Sequence, residues 1–157
     1  MSIRLVASPR HRQLFLNNEE CMGEIRIQVK LTNGIDEANA AANLIAPEQI
    51  RSITVEAIVD TGVVRSVIPQ SVIDMLGVQI RSNEIARYAD GRSENVGLTF
   101  HILFEIMGRS TADEALVLGD EVLIGQTILE KLDLLADCRN RRLVANPDHP
   151  DFAVTRV

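Results

Sequence analysis

The stretch "TVEAIVDTGVVRSVIPQ", Thr54–Gln70, decides how the rest of the chain reads. In "SITVEAIV" the residues Ile53, Val55, Ala57 and Val59 fall on alternate positions, the period of a half-buried strand. Asp60 lies just beyond the strand end and is followed at once by Thr61 and Gly62. A carboxylate at the rim of an apolar core costs free energy to ionise, and such positions suit acid–base chemistry. Glycine lets the backbone turn where another segment can approach closely. Threonine adds a hydroxyl that can be locked to neighbouring backbone. "VVRSVI" then re-enters the sheet, Pro69 opens a helix in "PQSVIDML", and Gly77 stops it.

Working outward, "EIRIQVKLT" from Glu24 alternates through Ile25, Ile27, Val29 and Leu31, a second half-buried strand that Asn33-Gly34 ends. The connection "IDEANAAANLIAPEQIR" is too long to be structureless in a compact domain; it predicts a short helix capped by Asp36 and finished before Pro47. Downstream, "VQIRSNEIARYADGRSENVGLTFHILFEIMG" reads as strand, Asp90-Gly91 turn, strand. "EALVL" is a further short strand. "LIGQTILEKLDLL" places Ile128, Leu129, Leu132 and Leu135 at helical spacing behind Gly125, and "LLADCRNRRLVAN" is strand, turn, strand. The result is one mostly-β domain over residues 23–146 with two short helices that each follow a tight glycine. Residues 1–22 form an N-terminal arm without a clear period. Residues 147–157 form a C-terminal tail whose "FAVTRV" alternates but has no partner strand left in the chain.

Composition narrows the function classes. A chain of 157 residues with 46% hydrophobic content supports one domain with a real core. Aromatics make up only 3%, so that core is aliphatic and favours strands. The formal charge of -6 argues against a nucleic-acid partner, which needs a basic face. The one basic knot, Arg139-Asn140-Arg141-Arg142, reads as a solvated turn. Cys21 and Cys138 lie far apart in no metal-binding spacing; they exclude a disulfide framework and leave a single bridge open. Arg and Pro interrupt the first residues too often for a signal-peptide core, and no segment approaches ~18 uninterrupted apolar residues. The expectation is a soluble, cytoplasmic protein with no membrane partner. His11, His101 and His149 have no sequence neighbours that suggest a ligand set or a nucleophile–base pair.

Three ordered features carry a resemblance. "VDTGVVRSVIP" resembles the active-site segment of retropepsin-like aspartic proteases, especially their small bacterial members, with Asp60, Thr61 and Gly62 at the motif and Ser66 at the later hydroxyl position. "VLIGQTILEKLDLLAD" resembles the family's second signature, an apolar pair and a glycine leading into a helix, here Leu123, Ile124 and Gly125. Between them "ARYADGRSENVG" occupies the place of the flap, with Tyr88, Ala89, Asp90, Gly91 and Arg92 at its tip. The resemblance implies a closed β-barrel with one or two short helices and an aspartic endopeptidase acting on extended peptide segments. One Asp-Thr-Gly per chain is half of a two-carboxylate site, so the partner implied is a second copy in a two-fold dimer. In that dimer Thr61 is expected to bond across the axis to the partner chain. The chemistry requires no metal or cofactor.

The chain also departs from the family pattern. Val63 stands where a small alanine is usual, and Val64 and Arg65 stand where many retroviral members carry acidic groups that bind substrate backbone. Two rival readings therefore accompany the protease. One is a proteolytically inactive retropepsin-like module for dimerisation or peptide binding. The other is a structural subunit in which Asp60 only stabilises a turn.

Overall fold

A computed structural model describes residues 14–18, 21, 23–155 and 157. Its strands are β1 (Ile25–Asn33), β2 (Ser52–Val59), β3 (Val67–Ile68), β4 (Ile80–Arg87), β5 (Ser93–Thr99), β6 (Ile102–Ile106), β7 (Arg109–Asp113), β8 (Leu116–Val117), β9 (Val122–Ile124), β10 (Leu134–Asp137) and β11 (Arg142–Ala145). The α-helices are α1 (Gly34–Ala41), α2 (Gln70–Leu76) and α3 (Gln126–Leu132). The first nine strands form one sheet in the order β4-β5-β8-β3-β9-β2-β1-β6-β7, and β10 and β11 form a separate pair.

The alternation in β1 and β2 does what its period demands. The two strands pair antiparallel from Ile25↔Val59 to Thr32↔Ser52, and Ile25, Val29, Leu31 and Ala57 point into the core. Phe104, Ile68, Ile73, Ile124, Ile128 and Leu129 complete that core, which is aliphatic apart from one phenylalanine among its largest fully buried side chains.

The sheet curls strongly but does not close, which corrects the expected barrel. Its edges are β4 and β7, and side chains occupy the outer side of β7. Lys131 Nζ donates to the Ala112 carbonyl at 3.0 Å, and Arg109 donates to the carbonyls of Leu132, Asp133 and His149 at 2.8–3.0 Å. Charged groups on a sheet edge prevent further pairing. β4 is the outer strand of a protruding hairpin and leaves Ile85 65% exposed.

Three helices form where one or two were expected, and the cap of the first is also corrected. Asn33 caps α1, its Oδ1 accepting from the amides of Ile35 and Asp36 at 3.0 Å. Asp36 lies one turn inside, 7% exposed, and takes the Arg51 guanidinium on both oxygens at 2.8 and 2.9 Å. Helix α2 starts after Pro69 and ends on Gly77 at φ 62, as expected. Helix α3 stops earlier than its apolar spacing implies: Asp133 turns left-handed at φ 56, and Leu135 belongs to β10.

Both ends of the described chain pack on this last region. The Ala136 amide donates to the Leu14 carbonyl at 2.8 Å, Phe15 forms a parallel bridge with Ala136, and Cys21 is disulfide-bonded to Cys138. In the tail, the Val154 amide and the His149 ring both reach Asp133 Oδ2, at 3.0 and 2.7 Å. No strand forms among the described residues of the tail. The basic knot is the β10–β11 turn, and Asn140 and Arg142 hold the Asp137 carboxylate. No described helix is long and apolar enough to cross a membrane.

Hydrogen bonds from Arg51 hold the Asp36 carboxyl below its ordinary value, against burial, which opposes this. A carboxyl depressed in the folded state adds stability above its unfolded pKa and loses it as pH falls through the folded value. Arg51→Ala strands a buried acceptor and is expected to cost about 1–3 kcal/mol at pH 7. The gap to wild type should narrow only as pH falls below the ordinary carboxylate value and through the depressed folded one, where wild-type Asp36 takes up its proton. Urea melts at pH 7 and pH 3 measure this, and a gap independent of pH would contradict the ion-pair account.

Candidate active site

β9 lies between β2 and β3, parallel to the first through Ala57↔Val122, Ile58↔Leu123 and Val59↔Ile124, and antiparallel to the second through Val67↔Leu123. The chain leaving β2 must therefore cross the end of β9 to reach β3, and residues 60–66 make that crossing. The Asp60 amide extends the ladder by donating to the Ile124 carbonyl at 2.9 Å. Asp60 Oδ1 then accepts the Gly62 amide at 2.9 Å, a side-chain turn that fixes the carboxylate plane. Oδ2 has no partner among the described residues, and Asp60 is half-buried.

The segment after β9 clasps the crossing loop from beneath. The Gly125 amide donates to Ser66 Oγ at 3.0 Å, and Ser66 is 0% exposed. The Gln126 and Thr127 amides donate to the carbonyls of Val63 and Val64 at 2.9 and 3.1 Å, and the Thr127 hydroxyl reaches the Val64 carbonyl at 3.0 Å. Gln126 Nε2 donates to the Thr61 carbonyl at 2.7 Å. A Cβ on Gly125 would sit 2.8 Å from the Val64 oxygen and 2.9 Å from the Arg65 carbonyl carbon and oxygen. Only glycine leaves the two backbones room to meet.

The structure thus joins two motifs more than fifty residues apart in sequence. Asp60, Thr61, Gly62 and Ser66 share one loop, and Gly125 touches it, while Leu123 and Ile124 run alongside in β9. The Thr61 hydroxyl has no partner among the described residues of this single chain. Sequence reasoning missed Gln126, a buried polar side chain committed wholly to the loop; its position directly after the glycine was the only signal.

The hairpin expected as a flap forms from β4 and β5. The Tyr88 amide donates to the Arg92 carbonyl at 2.8 Å, the Gly91 amide to the Tyr88 carbonyl at 3.0 Å, and Gly91 has φ 89. That is a three-residue loop over Ala89, Asp90 and Gly91, which requires a left-handed residue at its end. Asp90 binds the Arg92 amide and guanidinium, Tyr88 donates to Glu94 at 2.6 Å, and Arg92 lies 5.0 Å from the Tyr88 ring centre. The Arg92 amide and guanidinium keep the Asp90 carboxyl below its ordinary range.

Arg65 links the hairpin to the loop, reaching Glu84 of β4 at 3.5 Å and Glu114 at 3.6 Å, and Arg81 of β4 meets Glu114 at 2.8 Å. Val64 is 63% exposed. His101 is exposed, His149 serves Asp133, and His11 lies outside the described residues.

The Asp60 loop is half-buried from Asp60 to Val63. A groove of about 370 Å³ among the described residues, lined by Lys30, Thr32, Leu103, Glu105 and neighbours, shares no residue with the loop. No protein-family model matches the chain, and no curated protein matches it.

Two substitutions test the platform. Gly125→Ala drives a methyl into rigid backbone and is expected to cost about 1–3 kcal/mol. Ser66→Ala leaves the Gly125 amide buried without an acceptor, at a similar cost of roughly 1–3 kcal/mol. Chemical denaturation measures both, and wild-type stability in Gly125→Ala would show that the loop does not rest on this glycine.

Proposed function

We propose that the chain is a retropepsin-like aspartic endopeptidase that works as a homodimer on extended peptide segments. The observation that carries this reading is the clasp of the Asp60 loop by Gly125, Gln126 and Thr127. It holds the loop through backbone contacts and leaves Asp60 Oδ2 without a partner among the described residues. A two-fold axis beside the loop brings the Asp60 carboxylates of two copies together.

The chemistry follows from that pairing. Two touching carboxyl groups do not both ionise at low cost, so they share one proton, as the paired aspartates of aspartic proteases do. The ionised Asp60 takes a proton from a water held between them while the water oxygen attacks the peptide carbonyl carbon. The protonated Asp60 donates to the carbonyl oxygen. As the tetrahedral diol collapses, one of its hydroxyls returns a proton to the ionised Asp60, the C–N bond breaks, and the other Asp60 gives its proton to the leaving nitrogen, which restores the shared-proton state. In the dimer the Thr61 hydroxyl bonds to the partner chain, and the β4–β5 hairpin covers a peptide laid as an added strand.

A second reading, a retropepsin-like dimerisation or peptide-binding module without proteolysis, draws on Val64 and Arg65. Here Arg65 is committed to Glu84 and Glu114, and Val64 offers no carboxylate to grip a peptide backbone.

Asp60→Asn separates the two. Asparagine keeps the Oδ1 acceptor for the Gly62 amide, so fold and dimer should persist while turnover of a peptide library falls on the order of 10³-fold or more. Wild-type activity should peak below neutral pH and fall on both sides, because one shared proton is needed. A rate that climbs through neutral pH, or full turnover in Asp60→Asn, would refute the catalytic role.

A further inference from the structure

The bridge between Cys21 and Cys138 spans 117 residues and encloses all of β1–β10 and the three helices. Cys21 stands just ahead of the first strand of the sheet, and Cys138 directly follows β10, whose residues Leu134, Leu135, Ala136 and Asp137 are all buried. The same strand is paired with β11 on one edge and with Phe15 on the other. The covalent link therefore fastens the two ends of the domain at the place where its last layer closes over the core. In the chain-entropy account, a cross-link stabilises by restricting the unfolded chain, and the effect grows with the length enclosed. A loop of this length ranks near the top of that scale and supplies a large share of the marginal stability of a domain this size.

We infer that Cys21–Cys138 makes the folded state redox-dependent, so that the chain is built to be stable in an oxidising compartment and is weakened where dithiol reductants are abundant. The inference stands apart from the role of Asp60. It also replaces the cytoplasmic expectation, since such bridges persist in oxidising compartments and are rare in the cytosol. Both cysteines are partly exposed, so a thiolate has access to the bridge in the folded protein. Attack on one sulfur gives a mixed disulfide and releases the other as a thiol. The second thiol of the reductant then displaces the first. Two electrons and two protons pass to Cys21 and Cys138, and the reductant becomes its own disulfide.

The experiment compares thermal melts of the intact protein before and after dithiothreitol, with thiols counted in each state, alongside Cys138→Ser without reductant. The air-oxidised protein should show no free thiol, and the reduced protein two. Reduction should lower Tm by about 10–15 °C, and Cys138→Ser should melt near the reduced protein. Free thiols in the oxidised protein, a bridge that resists the reductant in the folded state, or a shift under about 3 °C would each overturn the inference. A Cys138→Ser protein that fails to fold at all would support it, provided that the oxidised wild type melts cooperatively. None of these outcomes depends on peptide hydrolysis.

Discussion

Backbone-to-backbone contact between the loop after β2 and the residue after β9 is the constraint on which the candidate site depends. β9 must enter between two strands that are consecutive in sequence, so the loop joining them has to pass over its end. That crossing buries peptide groups, and each must find a partner. The partners are the amides of Gly125, Gln126 and Thr127, the Gln126 amide group and the Ser66 hydroxyl. Gly125 is the hinge of this arrangement because a side chain there would strike the Val64 and Arg65 carbonyls. The carboxylate of Asp60 inherits its position from this network.

The same network bears on the proposed pairing of two copies. The carbonyls of Thr61, Val63 and Val64 and the Ser66 hydroxyl are engaged, while Asp60 Oδ2 and the Thr61 hydroxyl have no partner among the described residues. Exposed polar groups on a rigid platform suit pairing with a symmetric copy, in which each residue near the axis meets its own equivalent. The hairpin is fastened to the platform at its base through Arg65, while its tip is stabilised only by contacts among Tyr88, Asp90, Arg92 and Glu94.

Much of this was legible in the sequence where period and chemistry coincide. The alternation in β1 and β2, the glycine at 77 and the Asp-Gly turn each follow from one local rule. Features set by tertiary contact were not legible. β7 carries "RSTAD", which has no apolar alternation; it forms because Met107 and Gly108 both take positive φ, 53 and 75, and fold the chain back on β6. Asn33 displaced Asp36 as the helix cap because Arg51, fifteen residues away, claims the aspartate. The contacts along the outer strand β7 are of this kind too: Lys131 reaches the Ala112 carbonyl, and Arg109 reaches the end of α3 and the tail, which no local pattern reveals. The bridge between Cys21 and Cys138 required the fold itself, since spacing alone left it open.

Binding stoichiometry of a peptide that carries a hydroxyl in place of the scissile carbonyl tests the central claim most directly. Such a compound places its hydroxyl where the attacking water would sit, so it recognises a pair of carboxyls sharing a proton rather than one alone. Isothermal titration at mildly acidic pH should saturate at one peptide for every two chains, with binding lost in Asp60→Asn. One peptide bound per chain, or equal binding by wild type and Asp60→Asn, would contradict a site assembled from two copies of Asp60.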